Sequence, residues 1–78
     1  MPNLLQRITV VQGLCNGKPT IRGMRITVKT VLEYLAAGDT IADILEAYPF
    51  LEQDDIFACL YFAAQHIENQ PVTYKLAS

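Results

Sequence analysis

The spacing of apolar residues changes character near Thr27 and divides the chain into two parts. From Leu5 to Val11 the sequence Leu-Gln-Arg-Ile-Thr-Val-Val is rich in β-branched side chains with partial alternation, and Gln12-Gly13 interrupts it. A short strand is expected there. Cys15-Asn16-Gly17-Lys18-Pro19 then joins an Asn-Gly pair, which tolerates positive φ, to a proline that steers Lys18 away from helix, so it reads as a turn. Residues Thr20 to Thr27 read as a short strand or loop, bent at Gly23 between two arginines.

From Val28 the period becomes helical. Val28, Val31, Leu32 and Leu35 fall at i, i+3, i+4 and i+7, with Thr27 as the N-cap and Gly38 as the left-handed residue that ends the helix. A second helix starts at Thr40, whose partner Asp43 resembles a capping box, and presents Ile41, Ile44, Leu45 and Tyr48. Pro49 stops it, because its ring clashes with the preceding turn and it carries no amide hydrogen. A third helix is expected over roughly 53–68, its first turn carrying Asp54 and Asp55 at the positive end of the helix dipole.

This third helix is apolar on most sides. Ile56, Leu60, Ala63 and Ile67 form one stripe, Phe57, Tyr61 and Ala64 a second, and Cys59 and Phe62 fill the surface between them. One stripe suffices to seat a helix on a small core. Either the N-terminal strands cover the other, or Phe57, Tyr61 and Phe62 meet a second copy or a partner. The pattern therefore predicts a mainly α fold: one domain over 1–70, with a β/loop segment at 1–27, three helices over 28–70 in a helix-turn-helix-like arrangement, and a tail at 71–78. The tail alternates Val72, Tyr74 and Leu76, which suits an added strand or a partner-binding segment, but fraying is the default expectation for it.

Composition narrows the class. With 78 residues, 51% of them apolar and 18% charged, the chain is too hydrophobic for disorder and too interrupted by polar residues for a membrane span. A core this small seldom stands without a staple, and with no metal motif a homodimer is the expected one. Cys15 and Cys59 could form a lone disulfide. The first residues, however, show no basic start leading into a long apolar stretch, so free thiols and a cytoplasmic location are expected.

The net charge of −2 conceals a polarity. Arg7, Lys18, Arg22, Arg25 and Lys29 precede Glu33 without any acid, giving that segment +5, whereas the remainder carries eight acids against Lys75, or −7. Helix-turn-helix proteins read DNA with a later helix that presents Arg, Lys, Asn or Gln near its N-terminus. Here that end carries Glu52, Asp54 and Asp55, which phosphates repel. Any DNA contact therefore falls to Arg7, Lys18, Arg22, Arg25 and Lys29. The competing reading for Arg22 and Arg25 is internal: bidentate pairing with carboxylates of the acidic half, or contact with helix-end carbonyls.

Catalytic and cofactor chemistry find little support. His66 is the only histidine and stands on a helix face away from any candidate nucleophile. No zinc-ligand spacing or phosphate-binding glycine loop is present, and Asp54 and Asp55, being adjacent on a helix, diverge by about 100°. A non-enzymatic protein without metal or cofactor is expected.

The stretch Gly17-Lys18-Pro19-Thr20-Ile21-Arg22-Gly23-Met24-Arg25-Ile26-Thr27-Val28 resembles the Gly-x-Pro-x-Ile-Arg-Gly-Thr-Arg-Ile-Pro-Val segment of domain-of-unknown-function family 433. The likeness continues through Leu35-Ala36-Ala37-Gly38, Ile44-Leu45, Tyr48-Pro49, Leu51, Asp55-Ile56 and the run from Ala58 to Ala64. Met24, Thr27 and Glu52 depart from it, where the pattern has Thr, often Pro, and a Thr or Ser cap. The resemblance implies a helix-turn-helix-like, winged-helix-like fold with Gly17, Pro19, Gly23, Gly38, Tyr48 and Pro49 as framework positions. It also implies an antitoxin of the VapB kind, which binds and blocks a PIN-like ribonuclease toxin and represses its own promoter by binding operator DNA. The alternative is a dimeric protein-interaction module that never touches DNA.

Overall fold

A computed structural model of the chain describes residues 3–67. The tail at 71–78, expected by default to fray, and the last residue of the expected third helix, Glu68, lie outside the described residues. Among the described residues the fold is mainly helical, with three α-helices and a two-stranded antiparallel hairpin near the N-terminus.

The N-terminal region departs from a simple strand. Leu4–Arg7 forms a turn of 3₁₀ helix, and only Ile8–Thr9 (β1) is extended, pairing with Thr20–Ile21 (β2) so that Ile8 faces Ile21 and Thr9 faces Thr20. Val10 and Val11, counted in the expected strand, lie exposed beyond it. Between the strands, Cys15, Asn16 and Gly17 all adopt positive φ. That turn brings Pro19 to the start of the first helix, where its carbonyl accepts from the Val28 amide at 3.0 Å.

β2 also folds back on itself. The Met24 amide donates to the Ile21 carbonyl at 2.9 Å, with φ of +48° at Arg22 and +70° at Gly23, the signature of a tight hairpin turn with two left-handed residues. The Ile21 amide reaches the Ile26 carbonyl, and Thr20 bridges Thr27.

The helices follow their caps. α1 (Val28–Ala36) starts at Thr27, whose hydroxyl accepts the Thr30 amide at 3.1 Å. Beyond its end, Gly38 at φ +100° donates to Leu35 and Asp39 donates to Tyr34, a paired C-terminal closure that needs a left-handed residue. α2 (Ile41–Ala47) carries the full capping box: Asp43 N–H to the Thr40 hydroxyl and Thr40 N–H to the Asp43 carboxylate. α3 runs from Gln53 to Ile67.

The core lies where the hairpin and the three helices converge, on Ile21, Ile26, Val28, Val31, Ile44, Leu51, Ile56 and Cys59, with Leu32, Leu35, Ile41, Leu45, Tyr48 and Phe62 half-buried around them. Along α3 the inner face is Asp55, Ile56, Ala58 and Cys59, continued by half-buried Phe62 and Ala63. This corrects the expected stripes. Leu60 and Ile67 are not core residues, being 44% and 60% exposed, while Phe62 packs inward and stacks on His66 at 4.1 Å between ring centroids. The turn of 100° per residue explains the shift: Phe57, Leu60, Tyr61 and Ala64 share the side opposite Cys59.

Candidate functional site

Three elements meet at Asp55. The residue occupies the first turn of α3, the 3₁₀ turn delivers Arg7, and the turn after β2 delivers Arg22. The Asp55 side chain is fully buried. Its Oδ1 accepts from Arg7 Nη1 at 2.9 Å and Arg22 Nε at 3.1 Å; its Oδ2 accepts from Arg22 Nη2 at 2.8 Å and the Glu52 amide at 2.8 Å. Four donors fill the lone-pair directions of one carboxylate. Nothing remains on Asp55 to ligate a metal or take up a substrate proton.

The electrostatics follow from that geometry. Burial pushes the Asp55 carboxyl up, but Arg22, the Glu52 amide and Arg7 together outweigh it and hold the group below its ordinary value. Arg7 also bonds Glu52 at 2.7 Å and approaches Asp54 at 3.7 Å; Glu52 first and Asp55 second raise its affinity for the proton. Arg22 is raised mainly by its bonds to Asp55, and its Nη2 also caps the Phe50 carbonyl at 2.8 Å. The Glu52 amide bond is half of a capping box at the start of α3. The other half, an N-cap hydroxyl, is missing because position 52 is Glu, and the Asp55 amide donates instead to the Glu52 carbonyl at 2.9 Å.

Behind the cluster the hairpin carries its own polar closure. Thr20 is fully buried. Its hydroxyl donates to the Thr9 carbonyl at 3.1 Å, the Thr9 hydroxyl donates to Thr20 Oγ1 at 2.9 Å, and the Gly23 amide donates to Thr9 Oγ1 at 2.8 Å, which satisfies both hydroxyls.

The five basic residues are thereby separated. Arg7 and Arg22, expected among the DNA contacts, are committed to the carboxylates of α3, as the competing internal reading had it for Arg22. Arg25, Lys18 and Lys29 are exposed and form no ion pair among the described residues. Lys18 and Lys29 border an apolar groove of about 300 Å³ walled by Pro19, Val28, Leu32, Phe62 and Ala63. On the opposite side of α3, Phe57, Leu60 and Tyr61 are 39%, 44% and 41% exposed. Of the expected contact residues Phe57 and Tyr61 are therefore exposed, beside Leu60, while Phe62 is half-buried and lines the groove. Both cysteines are free.

Asp55 was the residue least visible in sequence. Its position in the first helical turn suggested only a dipole role. The recoverable signal was the pairing of an Asp at the third helical position with an N-cap that lacks a hydroxyl, in a chain carrying two motif arginines.

Comparison with known proteins fits this geometry. The family model for "Protein of unknown function (DUF433)" matches residues 8–63, which span β1, the Arg22 turn and most of α3. The chain belongs to the DUF433 family. The crystal structure of a DUF433 member protein from Anabaena variabilis ATCC 29413 superimposes with a TM-score of 0.75 at 32% identity, over 81% of this chain and 62% of that one. This DUF433 chain thus spans less than two thirds of the length of that relative. No curated protein matches it. Among its described residues no helix is long and apolar enough to cross a membrane.

Proposed function

We propose that this DUF433 chain is a non-enzymatic, cytoplasmic antitoxin-like protein that binds and neutralises a PIN-like ribonuclease. The observation that carries the reading is the outer face of α3. Phe57, Leu60, Tyr61 and Ala64 lie at i, i+3, i+4 and i+7, exposed and uncharged, on a helix whose other face is already in the core. Anchors at that spacing are how one helix occupies a groove on another protein, with aromatic residues dominating the contact. The saturated Asp55 cluster supports a binding role rather than catalysis, since its charges are consumed in holding the hairpin to α3.

The test is direct. The chain is co-expressed with a PIN-like nuclease encoded beside its gene, and ribonuclease activity of the pair is compared with that of the nuclease alone. Inhibition that is lost in Phe57→Lys and Tyr61→Lys, with the circular dichroism spectrum kept, supports the reading. Full nuclease activity in the presence of excess wild-type chain overturns it.

Operator binding belongs to the same proposal in narrower form. We read α2 and α3 as the helix-turn-helix-like pair and the hairpin as a wing-like extension, with Lys18, Arg25 and Lys29 as the DNA contacts. Three phosphate contacts correspond to a loss of about 2.7 log units of affinity per log unit of salt. Promoter DNA that binds no better than random DNA at low salt would remove this half.

The second reading, a homodimeric interaction module without DNA binding, draws on the same α3 face. An uncharged stripe is self-complementary across a twofold axis, because no like charges meet there. Sedimentation separates the cases. A dimer that becomes monomeric in Tyr61→Lys supports it, and a monomer at micromolar concentration excludes it.

A further inference from the structure

We propose that the cleft between α1 and α2 is a receptor for one guanidinium group, the side chain of an arginine presented by a partner protein. The cleft, about 140 Å³ in volume, is lined by Tyr34, Asp39, Asp43, Ile44, Ala47 and Tyr48. Its construction is aromatic and acidic at once. The Tyr34 and Tyr48 hydroxyls are hydrogen-bonded at 3.1 Å and their rings meet edge to face at 5.9 Å, with Phe50 continuing the series against Tyr48 at 5.9 Å. The two rings are thereby held in fixed mutual orientation at the cleft, and a tyrosine face attracts a cation.

The carboxylates supply the counter-charge. Asp39 is half-buried and has no ion pair among the described residues, and Asp43 spends one oxygen on the Thr40 amide. Glu33 lines the adjoining depression together with Tyr34. Among the described residues no lysine or arginine lines either cavity, so the carboxylates there meet no cation in the lining.

The chemistry selects the occupant. A metal is disfavoured by the donor set, two carboxylates and a mutually bonded phenol pair, and no group of three or more metal-ligating side chains occurs among the described residues. Ligand pockets for whole small molecules usually enclose about 300 to 1,000 Å³, so this cleft suits the head of one side chain. A planar guanidinium can stack on a tyrosine face while forking onto a carboxylate, which the rounder ammonium of lysine does less well. Nucleic acid would be repelled here. The site requires neither the nuclease nor the operator reading, because none of its lining residues belongs to α3 or to the basic positions Lys18, Arg25 and Lys29.

Titration by heteronuclear NMR tests it, with the folded chain and the peptide acetyl-Gly-Arg-Gly-amide. Saturable shifts at Tyr34, Asp39 and Ile44 are expected, with a Kd on the order of 1 to 10 mM for a single side chain. Asp39→Asn should weaken binding at least about fivefold, and Tyr34→Leu, whose exposed ring does not belong to the core, by a similar factor. The citrulline peptide, of the same shape without the charge, should leave the spectrum unchanged. Equal shifts with citrulline, unchanged affinity in Asp39→Asn, or no shift at 50 mM peptide (about 1.8 kcal/mol, beyond useful recognition) would each overturn the proposal. Agmatine carries the same head on a free small molecule; binding of agmatine about tenfold tighter than the peptide would replace the protein partner with a metabolite.

Discussion

Arg22 grips both carboxylate oxygens of Asp55, at 3.1 and 2.8 Å, from a backbone held at φ +48°. The left-handed region costs a non-glycine residue roughly 1 to 2 kcal/mol, and the usual occupant of this turn position is Asn, Asp or Gly. Arginine stands there because only a long forked side chain reaches α3 from the hairpin. The strain is retained because the ion cluster over-determines the turn.

Replacing that side chain separates charge from shape. Arg22→Lys keeps the charge but loses the fork and the reach to the Phe50 carbonyl, and should lower stability by about 1 to 2 kcal/mol. Arg22→Gly removes the strain as well as the clamp, so its loss should be smaller than that of Arg22→Ala, by roughly 1 kcal/mol. Urea denaturation of the three variants decides it. Equal midpoints for Gly and Ala would mean that the backbone stores no strain.

Asp55 and Glu52 both pair with Arg7, yet they should respond very differently to neutralisation. Asp55→Asn leaves two guanidinium groups facing a fully buried site without its charge. Breaking a buried pair typically costs about 3 to 5 kcal/mol, and the partial exposure of both arginines brings the expectation to about 2 to 3. Glu52 is 60% exposed at the side chain, so Glu52→Gln should cost no more than about 0.5 kcal/mol. A double-mutant cycle with Arg7→Met should return most of its coupling energy on the Asp55 side.

Acid should unlock the same cluster. The folded Asp55 carboxyl titrates below its ordinary value, because its donors outweigh the effect of burial. Its stabilisation is therefore complete above the unfolded value of about 4 and is lost as pH falls through the lower folded value. Asp43, lowered by the Thr40 amide and hydroxyl, acts in the same window. The melting temperature should be flat from pH 7 to 5 and fall below about pH 4, less steeply in Asp55→Asn. An Asp55→Asn profile as steep as wild type would place the acid sensitivity elsewhere.

The helices were legible in sequence because their boundaries are local chemistry. Thr27, Thr40 and Gly38 act within three or four residues of themselves, and each does what its type and position predict. The hairpin was only half legible: β-branched residues marked Ile8 and Thr9, but the residues before them form a 3₁₀ turn ending in Arg7, whose partners Glu52 and Asp55 are 45 and 48 positions away. A separation of 33 positions likewise concealed which carboxylate Arg22 pairs with. Periodicity showed that α3 has two apolar sides without showing which faces the core. Asp55 decides that, because its ion cluster fixes the rotation of the first turn and places Phe62 inward and Leu60 outward.

Cys59 reports on the rigidity of that arrangement. It is fully buried one turn after Asp55, and burial first, with the nearby Asp55 charge second, pushes its thiol up to about 12. At pH 8 the native thiolate fraction is then about one in ten thousand. Cys15 lies half-buried in the turn between the strands. In the folded protein an aromatic disulfide reagent at pH 8 should titrate one thiol quickly, while the second reacts only as α3 opens. Its rate should rise by the same factor as the equilibrium constant for opening in Asp55→Asn, about 30-fold or more for a loss of 2 kcal/mol. Two fast thiols in the native wild-type chain would show that the segment around Cys59 opens without breaking the Arg22 clamp, and the ion cluster would then not be what holds the hairpin on α3.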